Sequence, residues 1–123
     1  MKKLNFLGAV LILALTACNP YGKKHMVGQV ELFVKSSVSA EQTQSAISFM
    51  NEIGYNNSPV SAQLDKEGDS YLVRFVIQKD QFENPELLAA MQILKTGFSE
   101  KVFAKGKVRI DLCDENFKTV KSL

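Results

Sequence analysis

The sequence is poor in the residues that chemistry usually needs. Its 123 residues hold a single histidine, His25, and two cysteines, Cys18 and Cys113. A lone histidine outside the folded part leaves a Ser-His-Asp or Cys-His arrangement without its base, and a multi-histidine metal site cannot be built from it. No C-x-x-C, P-loop or G-x-G-x-x-G occurs, and the seven glycines are scattered at bends rather than gathered into a phosphate-binding loop. Asp65, Glu67 and Asp69 are close together but lack the rest of a calcium loop, so they read as the charges that keep a hairpin soluble. No cofactor and no metal are expected, and an enzyme is the least favoured class. Long apolar runs are also missing. The one candidate, Leu4 to Leu15, is well short of the ~20 residues that a membrane-spanning helix needs.

That short run has another reading. Met1-Lys2-Lys3 is a basic start, the apolar stretch follows, and Thr16-Ala17 supplies small residues for a peptidase, the pattern of a cleaved export signal. Leu15-Thr16-Ala17-Cys18 resembles the lipobox of bacterial lipoproteins, a resemblance confined to residues 1–18. It implies cleavage before Cys18 and a diacylglycerol thioether on its sulfur, with acylation of the new amino group in many diderm bacteria. Several chains on one residue hold a protein stably at the lipid bilayer, where one would be marginal. Asn19 stands where the family places Asp as an inner-membrane retention signal, which implies the outer membrane.

Processing changes the charge argument. Fifteen basic residues oppose thirteen acidic ones over the whole chain, but Lys2 and Lys3 leave with the signal, and the remainder is balanced. Nothing therefore favours a nucleic-acid partner. With Cys18 occupied by lipid, Cys113 has no intrachain partner, and a disulfide framework is excluded. Three segments are expected: a signal peptide at 1–17, the lipidated Cys18 with a tether to residue 25, and one domain at 26–123, a length suited to a single core. Pro20 and Gly22 and the absence of periodicity mark the tether.

Within the domain the periodicity changes repeatedly. Val30, Leu32 and Val34 alternate with Glu31, Phe33 and Lys35, as in a strand with one apolar face. Ser39 with Gln42 forms a capping-box pattern, and Ala46, Ile47, Met50 and Ile53 follow at helical spacing up to Gly54. After the turn cluster Asn56-Asn57-Ser58-Pro59, a strand from Val60 and a second from Ser70 to Gln78 flank a charged hairpin loop, the second apolar enough to be central. Asn84-Pro85 opens another helix with Leu87, Leu88, Met91 and Leu94 inward, and we place its stop or kink near Gly97. Val108, Ile110 and Leu112 make the last main strand, and Phe117 to Val120 a short edge strand.

The predicted fold is α+β: a small antiparallel sheet with two helices on one face, in the β-α-β-β-α-β order of a ferredoxin-like fold, with an extra C-terminal edge strand. An unrelated α+β meander of the same elements is the alternative. Alternation puts Glu31, Phe33, Arg74, Val76, Arg109 and Asp111 on the helix-free face. Ferredoxin-like order would set Glu31 between Arg74 and Arg109 or Asp111. This face is the expected partner surface, weighed against simple cross-strand ion pairs. Function then falls into three classes: a non-catalytic domain that binds an envelope protein partner (assembly factor, inhibitor, immunity or exclusion protein), a peptide or small-ligand binder on that sheet face, and an enzyme.

Overall fold

The computed structural model describes residues 19–123. The signal segment and Cys18 lie outside the described residues. Lys23–Val27 (β1) folds back on Val30–Val34 (β2) through Gly28-Gln29, with Gly28 at φ 59° to close the two-residue turn. Lys23 to His25, expected in the tether, therefore belong to the sheet. The strand expected around Val30–Val34 is one arm of a hairpin, and its turn glycine, Gly28, is the sequence signal.

The helices start where side-chain caps place them. For Ala40–Glu52 (α1), Ser39 Oγ accepts from the Gln42 amide at 3.1 Å while Gln42 Oε1 accepts from the Ser39 amide at 3.0 Å, so two otherwise unpaired donors are satisfied reciprocally. For Pro85–Lys101 (α2), Asn84 Oδ1 accepts from Glu86 and Leu87 amides at 2.9 and 3.3 Å. This helix does not stop at Gly97. It runs on to Lys101, and Phe49 of α1 lies against the Gly97 backbone, where a Cβ would collide with the edge of the Phe49 ring. The glycine marks a close helix crossing rather than a helix end.

Ser61–Glu67 (β3) and Ser70–Val76 (β4) form the expected hairpin, and Lys107–Cys113 (β5) and Thr119–Ser122 (β6) complete a six-stranded sheet. The α+β class, the two helices on one face and the strand-helix succession stand. The pairing is more sequential than the interleaved ferredoxin-like order: β1 to β6 lie side by side as numbered. The sheet is mixed, with β2·β3 and β4·β5 parallel and the other three pairs antiparallel. The physical reason is β1. It occupies the free edge of β2 on which the last strand of an interleaved sheet would have to lie.

The strand order also sets the chirality. Strands β2 and β4 run in opposite directions, yet both α-helical crossovers step the same way across the sheet and both helices cover the same face. The two crossovers therefore have opposite hands, and one of them departs from the right-handed form that about 98% of such connections adopt. Their shared cover is a single apolar core: Leu32, Leu64, Val73, Phe75, Ile110 and Leu112 from the strands meet Ala46, Met50, Met91 and Phe98 from the helices. Phe49 and Phe98 join the helices edge-on at 5.1 Å between centroids.

Candidate functional site

The opposite face of the sheet carries a side-chain row that crosses all six strands. Register places Lys24 beside Phe33, Phe33 beside Gln63, Gln63 beside Arg74, Arg74 beside Asp111 and Asp111 beside Ser122. Alternation thus located Glu31, Phe33, Arg74, Val76, Arg109 and Asp111 on the helix-free side as expected. Their neighbours differ from the expectation. With β3 between β2 and β4, Glu31 does not stand between the arginines but pairs with Lys24 of β1 at 3.2 Å, both half-exposed.

Asp111 is the centre of the polar half of this row, with its side chain 1% exposed. Arg109 donates to it twice, from Nε at 2.9 Å and Nη2 at 3.1 Å, and Ser122 and Thr119 hydroxyls donate at 2.8 and 3.2 Å. Burial alone would raise its pKa, but the Arg109 and Ser122 hydrogen bonds, the Arg109 charge and the Thr119 hydroxyl outweigh it and hold the carboxyl below its ordinary value. Arg74 lies across from it. Its Nη1 donates to Gln63 at 3.0 Å and its Nη2 to the Phe117 carbonyl and the Thr119 hydroxyl, both at 2.7 Å. Arg74 Nε, buried without a hydrogen-bond partner, faces Asp111 Oδ2 at 3.6 Å. These bonds tie β6 and its preceding turn to β4 and β5, which is scaffold chemistry rather than an offered surface.

The apolar half is also occupied. Phe33 is buried, in a small second core with Cys113, Phe117, Tyr21 and Val76. Tyr21 and Phe117 cover Phe33 at centroid distances of 5.8 and 5.9 Å and contact each other at 5.0 Å. Phe117 reaches this position at φ 58° in the β5–β6 turn, so it is not part of the edge strand that begins at Thr119. Phe33 is consequently unavailable to a partner, a correction to the surface expected from alternation alone. Period-two patterning tells which side a residue takes and not what folds over it. Tyr21 and Phe117, which do the covering, fall in the segments expected as tether and edge strand.

An open groove lies elsewhere, between the C-terminal end of α1, the first half of α2 and the segment after β4. It measures about 540 Å³ and is lined mainly by Ile53, Tyr55, Val60, Ile77, Met91 and Ile93, with Gln78 and Gln81 among its polar groups. Ile93 is 73% exposed and Ile53 46%. Burial pushes the Tyr55 phenol up to about 12, so it stays a neutral hydroxyl across the physiological range. Sequence reasoning missed this site. Its signal was Ile93, an apolar side chain out of phase with the Leu87, Met91 and Leu94 stripe.

Two family models match the chain. Residues 24–123 match AF_1994_N, described as a family N-terminal domain. Residues 1–19 match the prokaryotic membrane lipoprotein lipid attachment site, whose one cysteine here is Cys18. No curated protein and no solved structure matches the chain.

Proposed function

From a chain that belongs to the AF_1994_N family and carries a lipoprotein attachment site, we propose an outer-membrane lipoprotein whose domain binds another envelope protein without catalysing a reaction. The observation that carries this reading is the open apolar groove with Ile53 and Ile93 at its rim. Large exposed apolar side chains gathered around one concavity favour burial by a partner, whereas single scattered ones need no such account. The groove is open rather than enclosed, which suits the apolar side chains of a protein segment better than an enclosed small molecule. Asn19 after the lipid-bearing cysteine supports the outer membrane as the location, and assembly, inhibition, immunity and exclusion are all roles such binding serves.

Ligand binding on the helix-free face, the second class weighed from the sequence, finds little support there, because Tyr21 and Phe117 cover its apolar half and the polar groups around Asp111 are bonded to one another. The test is photo-crosslinking from position 93 in intact cells. A discrete protein adduct that disappears on Ile53→Glu, with the thermal midpoint unchanged, is the expected result. Adducts to lipid alone, or a protein adduct indifferent to Ile53→Glu, would refute the groove as the binding site.

A further inference from the structure

We infer that the domain is held on the bilayer in one orientation, with its helix-free face against the lipid headgroups and the groove turned away. The inference rests on lipid attachment at Cys18 and on the short segment between that residue and the sheet. Four residues, Asn19 to Gly22, separate Cys18 from β1, and they are not a loose leash. Asn19 accepts the Gly22 amide at 3.2 Å through its carbonyl and the Tyr21 amide at 2.9 Å through Oδ1, closing a tight turn. Lys35 Nζ donates to the Pro20 carbonyl at 2.7 Å, and Gln63 Nε2 donates to the Tyr21 carbonyl at 2.9 Å. The Tyr21 ring is seated on Phe33 and Phe117. Gly22 then turns the chain into β1 at φ 105°, with the Val34 carbonyl so near that a side chain has no room.

Lipid therefore begins only two residues, Cys18 and Asn19, before the first backbone carbonyl bonded to the folded domain. Two residues reach at most about 7 Å. A tether of that length cannot swing a domain around, and Tyr21 is seated on the helix-free side of the sheet. That side, with the Phe117 turn beside Tyr21, must face the membrane in which the acyl chains sit. The helices lie beyond the sheet, and the groove between them opens to the aqueous phase, where a partner protein can reach it.

The experiment uses the full lipidated chain in phosphatidylethanolamine and phosphatidylglycerol vesicles that carry a nitroxide-headgroup quencher. With Cys113→Ala removing the buried thiol, a fluorophore is placed by Asn116→Cys in the Phe117 turn or by Gln92→Cys on the exposed side of α2. Quenching several-fold stronger at 116 than at 92 is expected. Insertion of about ten Gly/Ser residues between Cys18 and Asn19, an average span of about 17 Å, should bring the two values together while leaving the domain's melting curve unchanged. Equal quenching at the two positions, stronger quenching at 92, or a difference that survives the insertion would overturn the inference. Co-sedimentation with the vesicles separately reads the anchor: a chain that stays in solution refutes lipid attachment, and the orientation with it.

Discussion

Asp111 shows how a single side chain can hold an edge strand in place. A buried carboxylate is costly unless its oxygens are satisfied, and here two hydroxyls and the Arg109 guanidinium satisfy them, with Arg74 adding its charge. Removing the carboxylate leaves Arg109 and two hydroxyls without their acceptor and Arg74 without its countercharge, so Asp111→Ala should cost about 3–5 kcal/mol in urea unfolding. The pH dependence has a definite sign. A carboxyl whose folded pKa lies below its unfolded value contributes stability that is complete above the unfolded value of about 4 and is lost as pH falls through the lower folded value. The thermal midpoint should therefore fall steeply below about pH 4. Asp111→Asn should lower the midpoint at neutral pH and flatten that acid slope. An unchanged slope would show that other carboxylates govern acid unfolding.

At the scale of elements, Gly97 decides how closely the helices approach. Replacing an interior helical glycine by alanine ordinarily gains about 1 kcal/mol. Here the new Cβ meets the Phe49 ring, and overpacking of that kind costs about 1–3 kcal/mol. The clash should win, making Gly97→Ala a net loss. Phe49→Leu, which removes the ring, should couple favourably to it in a double-mutant cycle measured by urea unfolding, the pair losing less than the two singles together. The same glycine marks the limit of what was legible beforehand. The caps of both helices, Ser39 with Gln42 and Asn84 with Pro85, could be read because capping is local, and the two faces of β4 and β5 because alternation is local. Gly97 as a packing contact and β3 between Glu31 and Arg74 depend on partners distant in sequence, which spacing does not encode, whereas the β1 hairpin has a local signal in Gly28. The candidate site obeys the same rule. The six named residues lie on one side, but Tyr21 arrives from before the sheet and Phe117 from the turn near its end.

Across the whole molecule the sheet separates two cores, and Cys113 reports on the smaller. It is fully buried between β4 and the Phe117 turn, and burial raises its thiol pKa, with the charges of Asp111 and Asp114 adding to the rise and Arg74 and Thr119 opposing it. A buried, protonated thiol is a poor nucleophile, so a non-reducing gel should show no Cys113-dependent dimer and a thiol reagent should label it only when structure opens. Which opening matters can be distinguished. The large core lies under both helices, whereas the cover over Cys113 is a turn and a four-residue edge strand pinned through Asp111 and Arg74. Local release of that cover needs far less exposed surface than global unfolding and should dominate labelling in water. Asp111→Ala should then accelerate Cys113 labelling by more than its effect on global stability accounts for, while Gly97→Ala, which loosens the helices, should leave the native labelling rate nearly unchanged. If both variants instead track their global unfolding free energies, the two cores open together and the sheet is one cooperative unit from edge to edge.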